Sequence, residues 1–125
     1  MKTYKIAVIP GDGIGPEVIG EGVKLLRHIE KLDGEIGFDF TFFPWGCNYY
    51  LEHGKMMDED GIEKLSQFDA IYLGAVGMPG VPDHISLRDL LLNIRHSFDQ
   101  YVNLRPVKLL RGAPCPLKDA KPEDI

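Results

Sequence analysis

Two arginines, Arg95 and Arg105, are the side chains whose type and spacing point most directly to chemistry. Arg95 lies near the end of a segment predicted as a helix, Leu87 to Phe98. Arg105 lies in Tyr101 to Leu110, an otherwise apolar segment predicted to be an extended strand. An arginine in an apolar strand is costly without an anion, and a carboxylate binds its planar guanidinium through two hydrogen bonds. The two arginines could therefore close on one small di-acid.

The residues also allow a second interpretation of this pair. The arginines could instead form internal ion pairs, and the sequence favours neither interpretation over the other. The acidic residues available for such pairs are Asp99, Asp89 and Glu17. On the predicted helix, Leu91 lies four residues and Arg88 seven residues before Arg95. A regular helix would therefore present all three side chains on one face.

A glycine-rich segment, Gly11 to Glu17 (GDGIGPE), lies between a predicted strand and a predicted helix, where backbone N–H groups can bind an anion. Its spacing is GxGxG, whereas dinucleotide-binding loops of the Rossmann type have GxGxxG. The second predicted strand ends at Phe43-Pro44-Trp45-Gly46, without the acidic residue that would bind a ribose. Three interpretations stay open: a phosphate-binding loop, a tight turn, and a loop that presents Ile14 to a flat ligand.

The elements that must position these residues are four predicted strands, and a helical region lies between each strand and the next. Pro16 suits the first turn of a helix of about four turns, and Gly34 suits its C-terminal cap. Asp69 to Val76 is an apolar run of the length expected for a central parallel strand. The pattern predicts an α/β fold with a mostly parallel sheet and flanking helices. The remaining predicted elements are strands at Tyr4 to Ile9 and Phe38 to Phe43, and short helices at Trp45 to His53 and Asp58 to Ser66.

The composition argues against several other classes of protein. The net charge is −5, and binding to nucleic acid or an anionic membrane surface depends on excess positive charge. Cys47 and Cys115 are too few and too far apart for a zinc site or a disulfide framework. The first apolar run is too short for a signal peptide, and no run approaches the ~20 residues of a membrane span. These features predict a cytoplasmic protein with no metal site of its own.

Three motifs resemble those of the β-decarboxylating dehydrogenases of the isocitrate and isopropylmalate type, and they occur in the family's order. They are residues 6–18 (IAVIPGDGIGPEV), residues 73–77 (LGAVG), and Ile94-Arg95 followed by residues 103–106 (NLRP). Residues 84–87 (HISL), 98–103 (FDQYVN) and 114–117 (PCPL) most resemble the tartrate and D-malate dehydrogenase branch. That branch tends to carry an aromatic residue at the position of Arg88.

The resemblance implies an isopropylmalate dehydrogenase-like fold, which is not a Rossmann fold. It also implies NAD-dependent oxidation and decarboxylation of a 2-hydroxy di-acid of the tartrate or D-malate type. Arg95 and Arg105 would bind the carboxylates of the substrate, and Leu91 would contact its variable substituent. The nicotinamide end of NAD would lie against Ile14 and the loop that contains Ala75, Val76, Gly77 and Met78.

The resemblance further implies that this chain corresponds to the front part of a longer family chain. Residues 1–110 would form an α/β segment with part of the substrate and nicotinamide sites, and residues 111–125 an extended, proline-containing tail. The ligands of Mg or Mn, a third substrate arginine, the tyrosine and lysine acid/base pair and the adenine loop would follow Ile125. The chain alone would therefore be inactive, with no catalytic residue in it, and the full-length protein would be a homodimer.

The sequence leaves three other interpretations of the chain's function open. The chain could belong to an isopropylmalate dehydrogenase, because Leu91 alone is a thin basis for choosing the substrate. It could be a non-catalytic α/β module that captures a di-acid with Arg95 and Arg105. It could also be a folded remnant that binds no ligand.

Overall fold

A parallel three-stranded sheet, in the order β2-β1-β3, forms the centre of the computed structural model, which describes residues 1–124. The α/β prediction is confirmed. The elements along the chain are β1 (Lys2–Gly11), α1 (Gly15–Asp33), β2 (Ile36–Phe42), α2 (Cys47–His53), α3 (Gly61–Leu65), β3 (Ala70–Ala75), α4 (Asp83–Ser86), a π-helix (Leu87–Leu92), α5 (Asn93–Ser97) and a 3-10 turn (Pro122–Asp124).

The central strand is β1, since it pairs in parallel with β2 on one side and with β3 on the other. The prediction that the third strand is central is therefore wrong within residues 1–124, where β3 forms an edge of the sheet. An apolar run indicates that both faces of a strand are covered, but it does not show whether both of its edges are paired.

Helix α1 has the ends that Pro16 and Gly34 predict. Gly34 adopts the left-handed conformation, with φ of 75°, and its N–H donates to the Glu30 carbonyl. Ile19 is buried against the sheet, whereas Val18 and Leu25 are more than half exposed. Ile19 therefore packs on the sheet, and Val18 and Leu25 are on the surface of the described structure.

Successive β1 residues point to opposite faces of the sheet and enter two separate cores. Ile6 and Val8 pack with Ile19 of α1. Ala7 and Ile9 point to the other face, where Trp45, Leu90 and Ile94 bring residues of the β2–α2 connection, the π-helix and α5 into one larger core. The helices therefore cover both faces of the sheet.

The predicted helix at Leu87 to Phe98 is present, but it begins earlier, at Asp83, and changes its winding. Residues 87–92 form a π-helix, whose hydrogen bonds join residues five apart and rotate the faces relative to an α-helix. Arg88 lines a cavity with Leu92 and His96, and neither Leu91 nor Arg95 lines it. The expectation that these three residues share one face is therefore wrong.

Residues 99–121, called the arm below, contain no helix or strand. The predicted strand at residues 101–110 is wrong, and Arg105 is exposed rather than enclosed in an apolar strand. Tyr101 is 87% exposed and Leu104 is 84% exposed. A strand needs a neighbour for its backbone groups, and no described strand pairs with this segment. Of the predicted tail, residues 111–121 belong to the arm, and Ile125 lies outside the described residues.

Candidate functional site

The carboxyl ends of β1 and β3 lie side by side, because these two strands are parallel neighbours. Ligands of open α/β sheets bind at this edge. The loop after β1 and the loop after β3 are joined where the Asp12 N–H donates to the Ala75 carbonyl, at 2.6 Å. We call residues 11–15 together with residues 75–78 the loop pair.

Close packing of the loop pair explains two of its glycines. A Cβ atom on Gly11 would lie 2.0 Å from the Ala75 oxygen, and Gly11 also has a φ of +74°. A Cβ on Gly15 would lie 2.1 Å from the Pro10 oxygen and 2.9 Å from the Ala75 nitrogen. The backbone of the neighbouring loop therefore occupies the space that these glycines leave. This supports the tight-turn interpretation of the segment.

The outer part of the loop pair is open. Gly13 has a φ of +56°, and no atom lies within 4 Å of the place where its Cβ would be. The same is true of Gly77, whose φ is +128°. Ile14, which directly follows Gly13 in the sequence, is 67% exposed. An exposed apolar side chain beside unobstructed backbone is a surface that a flat ligand can contact.

Asp12 is the residue of this site that the sequence analysis missed. Its side chain is buried, with 2% exposed, and its two carboxylate oxygens accept hydrogen bonds from different elements. Oδ1 accepts from the N–H of Cys47, at 2.8 Å, and Oδ2 accepts from the N–H of Gly77, at 2.9 Å. The sequence offered one signal for this residue, namely an aspartate between two glycines directly after a buried strand.

Cys47 lies beside this carboxylate and is fully buried. Burial, together with the Asp12 carboxylate, raises the pKa of the Cys47 thiol to about 11, because both disfavour a thiolate at this position. The thiol is therefore protonated at neutral pH and packs as part of the larger core. It has the character of a structural cysteine.

The two arginines lie in different environments. Arg95 is half-buried on α5, whereas Arg105 is exposed in the arm. Among residues 1–124 neither guanidinium forms an ion pair, and Asp89, one of the acidic partners considered from the sequence, lies 4.0 Å from Arg88 instead. Leu91 is half-buried in the π-helix. The contacts within the described chain therefore do not join these three side chains into one cluster.

Two cavities lie near these elements. One, of about 800 Å³, lies between the π-helix and residues 54–59 and is lined by charged side chains of both signs, Arg88 and Asp89 among them. The other, of about 260 Å³, lies between Gly11 and residues 42–48. Neither Arg95 nor Arg105 lines either cavity.

No group of three or more His, Cys, Asp or Glu side chains within residues 1–124 has the arrangement of a metal site. The described helices also include none that is long and apolar enough to span a membrane.

Residues 5–125 match the family described as isocitrate/isopropylmalate dehydrogenase. A probable tartrate dehydrogenase/decarboxylase of Agrobacterium vitis is 51% identical over 125 residues, which is all of this chain and 35% of that protein. The decarboxylating D-malate dehydrogenase of Escherichia coli K12 is 56% identical over 127 residues, again 100% of this chain and 35% of that protein. The chain thus spans about a third of these relatives.

The fold has a counterpart among solved structures. A β-decarboxylating dehydrogenase from Thermococcus kodakarensis, in its apo form, superimposes with a TM-score of 0.59 and 34% sequence identity. The superposition covers 78% of this chain and 27% of that protein. The sheet and its flanking helices are therefore an isopropylmalate dehydrogenase-like fold.

Proposed function

The chain belongs to the isocitrate/isopropylmalate dehydrogenase family, and we propose that it forms part of the active site of an NAD-dependent oxidoreductase. The reaction is the oxidation and decarboxylation of a 2-hydroxy di-acid of the tartrate or D-malate type. The observation that carries this proposal is the 51–56% identity with tartrate and D-malate decarboxylating dehydrogenases over 94–100% of the chain.

The loop pair supports a place for the nicotinamide end of NAD. Ile14 offers an exposed apolar surface, and the backbone at Gly77, in the other loop of the pair, has open space over it. In this proposal Ile14 and residues 75–78 would hold the planar ring of NAD, which when bound would supply the hydride acceptor. The hydrogen bonds that join the two loops would orient that ring and so lower the entropic cost of reaction.

Arg95 and Arg105 are proposed to bind the carboxylates of the substrate, and Leu91 to contact its variable substituent. Neither arginine has an ion-pair partner within residues 1–124, which supports anion binding over the alternative of internal neutralisation. Their guanidinium groups would position the di-acid and neutralise its charge. Leu91 is half-buried in the π-helix, four residues before Arg95, and this proposal assigns it the contact that depends on the size of the substituent.

The remaining functional groups belong to the part of the relatives that this chain does not cover. We place the ligands of Mg or Mn, the acid/base residues and the contacts of a homodimer there. A divalent metal bound there would supply a Lewis acid for the hydroxyl and carbonyl oxygens of the substrate. The roles that this proposal assigns to the present chain are binding and orientation.

The test is NADH formation, at 340 nm, by the protein expressed from its complete open reading frame with Mn²⁺ and D-malate, tartrate or isopropylmalate. Arg95→Ala and Arg105→Ala are each expected to lower kcat/KM by at least about 100-fold, because each removes a charge-assisted pair of hydrogen bonds. Arg111→Ala, in the same arm as Arg105 and equally exposed, is the matched control and should retain activity.

Two results would contradict the proposal. One is the absence of NAD-dependent oxidation with all three substrates, and the other is equal activity of Arg105→Ala and Arg111→Ala. The 125-residue chain alone is expected to form no NADH. If that chain binds malate or tartrate at micromolar strength without NAD or metal, as measured by calorimetry, it acts as a di-acid-binding module instead.

A further inference from the structure

The Asp12 carboxylate connects three segments of the chain that are far apart in sequence. It belongs to the loop after β1, it accepts from Cys47 at the start of α2, and it accepts from Gly77 in the loop after β3. Its own N–H donates to Ala75, so the side chain and the backbone of one residue both hold the loop that follows β3. This residue is the main polar link within the loop pair.

The environment of this carboxylate is unusual for a buried acidic group. Buried charges are normally paired with an opposite charge, yet within residues 1–124 Asp12 forms no ion pair. Its oxygens accept from two backbone N–H groups, those of Cys47 and Gly77, and the Cys47 thiol lies beside it. Removal of the side chain takes this acceptor from both N–H groups. Gly46 permits the approach, because a Cβ at that position would lie 2.8 Å from the Asp12 Oδ1 atom.

Asp12 is placed next to the open surface of the site without being part of it. The neighbouring residue in sequence, Gly13, and one of its hydrogen-bond partners, Gly77, are the two glycines of the loop pair with no atom within 4 Å of an added Cβ. Asp12 is 2% exposed, and both of its carboxylate oxygens already accept hydrogen bonds from Cys47 and Gly77, so in this arrangement the side chain is occupied by contacts within the chain. Any effect of Asp12 on a ligand must therefore act through the relative position of the two loops.

We propose that Asp12 is the positioning residue of the nicotinamide site, because its side chain and backbone hold the loop that contains Ile14 against residues 75–78. This inference rests on the proposed function. It adds a residue that binds neither substrate nor cofactor but determines how well the loop pair is organised before the cofactor arrives. Organisation in advance lowers the cost of binding, so its loss appears in the affinity for NAD.

A purely structural role makes a different prediction. If Asp12 only stabilised the fold, its replacement would lower the melting temperature and leave the affinity for NAD unchanged in the folded enzyme. Asp58 provides a matched control, because its carboxylate also joins separate elements: it accepts from Tyr49 of α2 and from Lys64 of α3, the latter at 2.6 Å. Asp58 is not part of the loop pair.

The experiment compares Asp12→Asn with Asp58→Asn in the protein expressed from its complete open reading frame. The asparagine at position 12 retains the shape but turns an NH₂ group towards one of the two backbone donors. We expect the dissociation constant of NAD to rise at least about tenfold in Asp12→Asn, with a smaller change in the KM of the di-acid. In Asp58→Asn both values should stay within about twofold, even at an equal loss of melting temperature.

Hydrogen exchange supplies a second readout. The amides of Cys47 and Gly77 should exchange faster in Asp12→Asn than in the wild type, while those of β1 remain protected. If Asp12→Asn does not fold, Asp12→Ser replaces it, because a serine hydroxyl can accept a hydrogen bond and can rotate its own O–H away from a backbone donor.

The outcomes separate the two proposals. An active wild-type enzyme in which Asp12→Asn or Asp12→Ser binds NAD as tightly as Asp58→Asn overturns the role of Asp12 and leaves the proposed function standing. A wild-type protein that shows no NAD-dependent oxidation overturns the proposed function, and the positioning role falls with it.

Discussion

The loop pair and the arm differ in how much of their structure the described chain itself determines. In the loop pair, the hydrogen bonds of Asp12 and the close approach of Gly11 to Ala75 fix two loops against each other. In the arm, residues 101–108 are exposed, and the few backbone hydrogen bonds, such as that from Ala113 to Leu110, are local. Both regions contribute residues to the proposed active site.

The sites proposed for the two ligands of the reaction therefore differ in how far the described chain organises them. The surface proposed for nicotinamide is built by contacts within residues 1–124. The carboxylate site is not, because Arg105 lies in a segment that no described element holds in place. An organised binding surface requires neighbouring residues that restrict its side chains. The contacts within residues 1–124 do not restrict Arg105 in this way.

Glycine substitutions give the largest expected contrast between the two regions. Gly11 and Gly112 both have positive φ angles, +74° and +83°. A Cβ on Gly11 would also lie 2.0 Å from the Ala75 oxygen, whereas nothing lies within 4 Å of one on Gly112. We expect Gly11→Ala to lower the free energy of unfolding by about 3 kcal/mol or more, and Gly112→Ala by about 1 kcal/mol or less.

Urea unfolding monitored by circular dichroism measures both changes. Since the two substitutions are chemically identical and both require a left-handed alanine, their difference isolates the clash with the neighbouring loop. Equal destabilisation by the two alanines would show that the loop pair is no more tightly packed than the arm.

Sequence reasoning succeeded where a local pattern decides the structure. Pro16 and Gly34 define the ends of α1, and the apolar runs correctly indicate three strands. It failed at residues 101–110, because an apolar alternation shows that a segment can form a strand but not that a partner strand is available. It also missed Asp12, since the burial of an aspartate depends on backbone donors 35 and 65 residues away along the chain.

The reactivity of the two cysteine thiols allows the same two regions to be compared. Cys47 is buried beside Asp12, with its pKa raised to about 11, and Cys115 is half-buried in the arm. At pH 8 only about one Cys47 side chain in a thousand is ionised, so we expect its modification by a disulfide reagent to be at least about 100-fold slower than that of Cys115. Cys115→Ser should abolish the fast reaction, and Cys47→Ser should retain it.

The raised pKa also predicts how stability depends on pH. The thiol ionises in the unfolded chain near its ordinary value of 9.0, but in the folded protein only at about 11. Its contribution to stability is therefore complete below pH 9 and is lost as the pH rises from 9 to 11. Cys47→Ser should make the stability less dependent on pH in this interval, and an unaltered slope would contradict the assigned cause.

The smallest expected effect extends the comparison to the sheet that supports the loop pair. At the outer edge, β2 is held by side chains of α1: the Glu30 carboxylate accepts from the Phe38 N–H, and Arg27 donates to the Phe38 carbonyl, at 2.8 Å. The Phe38 N–H and then Arg27 lower the pKa of Glu30 below its ordinary value of 4.5. A carboxylate with a lowered pKa stabilises the fold above that ordinary value and loses this contribution as the pH falls through its folded pKa.

Glu30→Gln should therefore reduce the stability at pH 7 and make acid unfolding below pH 4.5 less steep, because the unfolded chain no longer gains a proton at this position. Glu21→Gln, on the same helix, removes only an exposed ion pair with Lys24, at 3.2 Å, and should leave the acid limb unchanged. Urea midpoints measured from pH 3 to pH 7 for both variants distinguish the two acidic residues. Parallel curves would mean that α1 does not hold the edge strand, and that the order of the loop pair arises at the strand ends alone.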